Sequence, residues 1–562
     1  MTPSRTSCTA PCAVFFDATE STGLSNGNDY VGASWKWNFD STGVNSGGEP
    51  HRTSIGFLTA HTYDTTGTYT VAVSMKDLSG ATASTVVSIT VSAMSGNTYF
   101  VSSNGSGTSC SMASPCSLTT GLNHVDKNNA VLLRRGDTFT VTSSLSFRTT
   151  GPFVFGSYSE PGSTATGAPT LQMNVGSNWM GDVNDSSDVR ITDLHFVAGS
   201  GVTQGWQVVG ATNALFERVE QEQVGEPSAG GNNFLVEDVS NLTFFVDTHL
   251  HDFAGLGIYG DRSKHVAVVG ATLDRYSGAD HGIRIQGGNP TDGAGSARST
   301  FIGYSTFIPL VGGGAFDCFA LRGDNSDSVA VGNYCTKTMS ATPQNSEKTE
   351  HVSNVLFDSN VTEIKDTDTN TGIAIIAQHV YARNNIIVGA DVAFDVSGQA
   401  QLPSGYVDQI YIYNNTFYGQ GAFAGTGTHQ VRFLTHGSSA PTTGNVTIAD
   451  NIFDCLSTAT NSTLFEEDGS GNSTIDHNLW WAPKATLSAP NEGMNAVHGD
   501  PLFESTTVTD AHAFWLQSQS AARGAGVSTA TWADRVGSAR PQGVGWDLGA
   551  VAYVDPSAAA GN

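Results

Sequence analysis

Charge is scarce in this chain of 562 residues, and positive charge most of all: 25 Lys and Arg face 51 Asp and Glu, for a formal net charge of −26. Such a chain is repelled at long range by nucleic acid and by anionic membrane surfaces, which argues against both as partners. An anionic polysaccharide is repelled as well, so binding one requires a local basic patch. No apolar run approaches the roughly 20 residues that a membrane-spanning helix needs, and no membrane insertion is expected. Helix formers are sparse. No Cys/His zinc spacing, phosphate loop, dinucleotide fingerprint or serine triad is present. What abounds is Gly (64 residues), with Ser, Thr, Asn and Val. That composition reads as all-β structure with many turns.

Cysteine is also rare. The seven stand at positions 8, 12, 110, 116, 318, 335 and 455. Close spacing suggests the pairs Cys8–Cys12, Cys110–Cys116 and Cys318–Cys335, with Cys455 single; structural free thiols are the alternative. Local pairs in a β-rich chain fit an oxidising compartment. The start "MTPSRTSC" is not a signal peptide, so a secreted chain is expected to have lost its leader.

Residues 1–94 read as a small β-sandwich. "AVFFDAT", "ASWKWNFDSTG", "GFLTAHTYDTTGTYTVAVSMKD" and "TASTVVSITVSA" alternate apolar and polar residues between turn signals. "WKWNFD" and "HTYDTTGTYTVAVSMKD" resemble the signatures of PKD (polycystic kidney disease) domains, although Asn38 stands where that family has its first aspartate and "STG" replaces the Gly-Asp after Phe39. The resemblance implies a spacer or a weak carbohydrate-binding module. Trp35 and Trp37 flank Lys36, so both are expected in the core.

From 97 to 555 a second domain is expected. "TYFVSSNGSGTSCSMASPCSLTTGLNHV" followed by "NAVLLRRGDTFTV" resembles the capped beginning of a right-handed parallel β-helix, in which a short helix covers the open end of the coil stack. An internal repeat follows. "DVRITDLHF", "NALFERVEQ", "NLTFFVDTHL", "HVAVVGATL", "STFIGYSTF", "SVAVGNYCT", "NVLFDSNVT", "HVYARNNII", "QIYIYNNTF", "NVTIADNIF" and "STIDHNLWW" are versions of one phrase. Each is a short alternating strand, a polar corner and another apolar pair. A solenoid stacks equivalent residues, so Asn360, Asn385, Asn415, Asn451 and Asn478 are candidates for a corner ladder of amides. The tail, "HGDPLFESTTVTDAHAFWLQSQSAARGAG" through "GWDLGAVAY", resembles the closing segment of bacterial β-helix proteins.

Chemistry is sought on the strands before three successive phrases, "GLGIYGD", "HGIRIQGG" and "FALRGD". If Gly260, Gly287 and Gly323 set the register, Ile258, Ile285 and Leu321 stack inward and Tyr259, Gln286 and Arg322 form one outward column. Arg284 then lies in a second column between Gly257 and Ala320, at the floor of a groove. Asp280, His281, His249, His251, Asp252, Arg275 and Lys348 are expected around it. Titratable groups and cations gathered on one face make this the default site.

Two chemistries fit. β-Elimination on a uronic-acid polymer needs a cation for the developing enediolate and a base within hydrogen-bond reach; Arg284 and Arg322 suit the first role and His281, His249 or Tyr259 the second, His281 being the expected proton acceptor. Tyr259, Gln286, His249, His251 and Lys348 would bind substrate. A glycoside hydrolase instead needs two carboxyl groups at a set separation, for which Asp280, Asp252, Asp317 and Asp324 are available. The fold resemblance is to pectate-lyase-like β-helices, a class of lyases, hydrolases, epimerases and phage tailspikes; a non-catalytic glycan-binding or adhesion protein is the third reading. "DTDTNTG" places Asp366, Asp368 and Asn370 at alternate positions, a spacing of hard oxygen ligands suited to Ca²⁺. The expectation is a secreted, monomeric enzyme acting on an acidic polysaccharide, possessing no nucleic-acid partner.

Overall fold

Strict inside–outside alternation in short Val/Ile/Phe-rich strands, with corners every few residues, builds the computed structural model of this protein. It describes the chain apart from residues 43–50, 177–178, 226–230, 239–240, 279–280, 289–294, 315–316, 344–349, 366–370, 391, 400–405, 420–428, 437–443, 456–462, 468–471, 483–491, 542–544 and 555–562. Three long parallel sheets of 14, 14 and 12 strands wind as one solenoid. They are called here sheets I, II and III, in the order in which the chain visits them within a coil. Sheet I contains strands such as Ser187–Thr192 and Lys264–Val269, sheet II His249–His251 and Thr272–Asp274, and sheet III Leu256–Asp261, Ile283–Gln286 and Asp317–Arg322. A helix at Leu118–Leu122, capped at its N-terminus by the Ser117 side chain, covers the first coil.

Sheet I passes to sheet II through a single left-handed residue in coil after coil, among them Asp193 (φ 56°), Asp247 (φ 48°), Asn384 (φ 56°), Asn414 (φ 52°) and Asp450 (φ 60°). Asn and Asp tolerate that conformation best among non-glycine residues, which explains the polar corners of the repeat. The residue after the corner points inward. From Asn333 onward it is an asparagine: Asn333, which the sequence did not single out, and the five expected residues Asn360, Asn385, Asn415, Asn451 and Asn478 are essentially buried. Each amide oxygen from Asn360 to Asn478 accepts both the backbone N–H and the side-chain N–H of the preceding asparagine, at 2.8–3.0 Å. The ladder satisfies polar groups that sheets alone leave unpaired. In earlier coils the position is Leu194, Val219, Thr248, Ala271 and Ser305.

The first 92 residues form two sheets, one of three strands and one of five ending with Thr82–Ser92. Trp35 and Trp37 are buried as expected, their indole N–H groups donating to the carbonyls of Tyr30 and Gly56. This unit does not hang free. Phe15, Phe57 and neighbours share one apolar core with Leu215, Phe244, Ala267, Phe301, Val329 and Leu356 on the outer side of sheet I. Polar contacts fix the docking: Tyr381 donates to Asp29 (2.7 Å), Arg383 to the Gly32 carbonyl (2.8 Å), and Arg5 pairs with Asp188 (2.8 Å). The tail packs on the later coils of sheet II, where Phe514, Leu516, Leu548 and Val551 meet Val361, Ile386, Ile452 and Leu479. Disulfides join Cys8–Cys12, Cys110–Cys116 and Cys318–Cys335, and Cys455 is a buried thiol.

Candidate functional site

The sandwich takes sheet I and the tail takes the later part of sheet II. Among the described residues no apolar cluster covers sheet III, which leaves its outward rows for a ligand. Hydrogen-bond pairing fixes those rows. Tyr259 is level with Arg284, and Arg284 with Ala320; Asp261 is level with Gln286, and Gln286 with Arg322. The expected columns of Gln286 with Arg322 and of Arg284 with Ala320 are present. The placement of Tyr259 is corrected by one pair: it stands beside Arg284, not beside Gln286. The glycines do not set the register. Gly260 pairs with Ile285 in the inward row, where a Cβ would meet the Ile285 Cδ1 at 2.6 Å, and Gly257 lies against Gly282 rather than against Arg284. Ala320 is fully buried, so the expected open groove with Arg284 at its floor is replaced by a row in which arginine and tyrosine stand side by side.

Within this patch Gln286 is the organiser. Its amide oxygen accepts from Arg284 Nε (2.8 Å), and its amide nitrogen donates to Tyr259 Oη (2.7 Å). The Arg284 guanidinium carbon lies 5.6 Å from the centre of the Tyr259 ring, within cation–π reach. Burial, reinforced by the nearby Asp261 charge, pushes the Tyr259 phenol up to about 12. Burial likewise raises the Asp261 carboxyl. The phenol is therefore a proton holder near neutral pH, and Asp261 keeps its proton more readily than an ordinary aspartate. Asp261 escaped the sequence reading, although its position two residues after Tyr259 puts it on the same face.

His281 lies at the corner before its strand, with a side chain only 6% exposed and Nε2 3.5 Å from Asp317 Oδ2. The inside–outside alternation breaks at Gly282, whose Cβ direction meets the buried Tyr276, so His281 shares a row with Asp317, largely covered. Asp317, 18% exposed, is the member that meets solvent, and Ser340 Oγ donates to it at 2.6 Å. Behind them Tyr276 is fully buried, and its hydroxyl has no hydrogen-bond partner among the described residues.

His249 and His251 do not join this patch. They project from sheet II, among Glu220, Glu222, Asp252, Asp274 and Arg275. Asp327 bonds to Tyr30 of the sandwich (2.6 Å) and is thereby committed to docking. Asp280, Lys348, Asp366, Asp368 and Asn370 lie outside the described residues.

No protein-family model and no curated protein matches the chain. Solved structures similar to it include the alginate lyase from Paenibacillus sp. str. FPU-7, at 15% identity over 67% of this chain and 99% of that one, with a TM-score of 0.35. The catalytic unit of the GH87 alpha-1,3-glucanase from Streptomyces thermodiastaticus is 13% identical over 85% of this chain and 89% of that one, with a TM-score of 0.40. For the GH136 lacto-N-biosidase from Eubacterium ramulus the figures are 13%, 57% and 64%, with a TM-score of 0.36, so the chain spans less than two thirds of that protein. At these scores the likenesses carry no argument about activity.

Proposed function

We propose that this protein is a carbohydrate-active enzyme that cleaves a uronate-containing polysaccharide by β-elimination on the outer face of sheet III. The observation that carries the reading is the Arg284–Gln286–Tyr259 unit, a cation and a phenol held together on the uncovered face of an acidic protein. Arg284, with Arg322 in the next row, binds the uronate carboxylate and stabilises the enediolate that forms when the adjacent C–H loses its proton. Asp317, oriented by Ser340 and His281, takes that proton. It stands level with His281, three residues or about 10 Å of strand from the level of Arg284, a span that a sugar residue and a long arginine side chain fill. The electron pair moves into the new double bond, the glycosidic C–O bond breaks, and the leaving oxygen receives the proton that Tyr259 holds.

The three disulfides support an oxidising compartment; on this reading the enzyme works outside the cell, as a monomer, with the PKD-like sandwich as its spacer. The test is ultraviolet absorbance on a panel of uronate polysaccharides, with and without a chelator. A rising signal from unsaturated ends, reduced about 100-fold or more in Arg284→Ala, supports elimination; activity lost to the chelator and restored by Ca²⁺ but not by Zn²⁺ supports Ca²⁺, proposed at Asp366, Asp368 and Asn370. A second reading, hydrolysis, is favoured by the raised Asp261 carboxyl on the same face. It predicts new reducing ends without unsaturation and loss of activity in Asp261→Asn. Glycan bound and left intact would make the protein a binding module.

A further inference from the structure

Sheet II carries a second cluster that the elimination chemistry does not use. Glu220, His249 and Thr272 form one outward row across three coils, and Glu222, His251 and Asp274 the next. The Glu-Gln-Glu and His-Leu-His alternation sends both glutamates and both histidines outward, with Gln221 and Leu250 buried between them. We infer that Glu220, His249 and His251 form a binding site for a divalent transition-metal ion of the zinc type.

Three observations carry this. First, one ligand atom from each residue lies within 4.8 Å of the others. His251 Nε2 is 3.1 Å and His249 Nδ1 3.9 Å from Glu220 Oε1. Ligands about 2.0–2.1 Å from a tetrahedral ion are about 3.4 Å apart, so the two distances to Glu220 change by about half an ångström or less, and the two histidines draw together from a separation within 4.8 Å. Second, the opposite ring nitrogen of each histidine rests on a carboxylate: His249 Nε2 on Asp274 (3.1 Å) and His251 Nδ1 on Asp252 (2.7 Å). That outer shell fixes the tautomer in metal-binding histidines. Third, Arg275 holds both carboxylates, donating to Asp252 at 2.8 and 2.9 Å and to Asp274 at 2.7 Å.

The proton on His251 has two places. On Nε2 it is donated to Glu220, and Nδ1 accepts from Arg275 at 2.8 Å. On Nδ1 it is donated to Asp252, and Nε2 becomes a ligand atom. A cation selects the second tautomer, and Arg275 then turns wholly to the carboxylates. His195, Glu222 and His251 make another grouping, but it needs His251 Nδ1, which Asp252 and Arg275 already occupy. With Glu220 41% and His249 38% exposed, the fourth coordination position faces solvent. Imidazole and carboxylate donors suit zinc better than calcium.

The test uses the full chain, stripped with a chelator and titrated with Zn²⁺ alone by calorimetry, then with Co²⁺ read by its visible spectrum. The expected result is one equivalent bound, with affinity at least 100-fold lower in Glu220→Gln and in His249→Ala, both surface changes whose metal-free melting should match the parent. Asp252→Asn and Asp274→Asn should weaken binding about 10- to 100-fold. No uptake by the parent chain would overturn the site. So would unchanged binding in Glu220→Gln and His249→Ala, including the case in which only His195→Ala abolishes it.

Discussion

Replacing Asn415 by alanine is the sharpest test of what holds the solenoid together. Its amide oxygen accepts two bonds from Asn385, from the backbone N–H and the side-chain N–H, each 2.9 Å. Its amide nitrogen donates to the Ala382 carbonyl (2.9 Å) and to Asn451 Oδ1 (3.0 Å). Truncation strands two donors on Asn385 and the Ala382 carbonyl, whereas Asn451 Oδ1 keeps the Asn415 backbone N–H (2.8 Å). All three asparagines are fully buried, so bulk water does not replace the lost partners. At about 1–3 kcal/mol for each orphaned group, the cost is about 3–6 kcal/mol, the lower half of the range allowing for a water in the new cavity. Ser305 is the comparison. Its hydroxyl accepts from Ala271 N–H (3.1 Å) and donates to the Gly303 carbonyl (3.0 Å), so Ser305→Ala should cost only about 1–2 kcal/mol. Because a solenoid opens locally, the readout is amide hydrogen exchange near residue 385 together with urea unfolding. The double change at Asn385 and Asn415 should cost less than the sum of the singles. A loss below about 1 kcal/mol, or one equal to that of Ser305→Ala, would refute the ladder as a stabilising network.

Three further outcomes are expected. Arg383→Ala leaves buried Asp358 without the guanidinium that now lies 2.6 Å away and cuts the bonds to the Gly32 and Ala33 carbonyls; a loss of about 3–5 kcal/mol and faster proteolysis between sandwich and solenoid should follow. Burial, with the Asp500 charge adding to it, pushes the Asp454 carboxyl up to about 7, so the folded state binds this proton more tightly than the unfolded chain. Stability from this group is greatest below its ordinary range and falls as pH rises to about 7, by at most about 4 kcal/mol. Asp454→Asn should flatten that slope and raise the melting temperature above neutral pH. On the proposed catalytic face, Tyr259→Phe should slow turnover with little change in KM, whereas Gln286→Ala, which releases both Arg284 and Tyr259, should cost more than either of its two hydrogen bonds alone; steady-state kinetics separates the two.

The candidate site was legible in part. Arg284, Arg322, Tyr259 and Gln286 could be assigned outward because strand parity is local, and parity survives any error in register. Their neighbours were not legible. The Tyr259 row was misplaced because corners and loops of different length intervene between coils, so only hydrogen-bond pairing reveals which residue stands beside which. His281 illustrates the same limit: its Asp-His-Gly-Ile-Arg phrase is conspicuous, but only the fold shows that its imidazole is largely covered and lies 3.5 Å from Asp317. Glu220 was overlooked because its partners His249 and His251 lie one coil away.

Sequence by itself determined the all-β solenoid, the buried tryptophans and the corner asparagines, and suggested the local cysteine pairs. These follow from period-two alternation, from the tolerance of Asn for the turn, and from short chain separations. Tertiary structure alone decided which faces remain open, because the sandwich and the tail choose their docking surfaces through apolar patches scattered over many coils. It alone also decided which charged groups meet, because neighbours across a parallel solenoid are a whole coil apart in the chain.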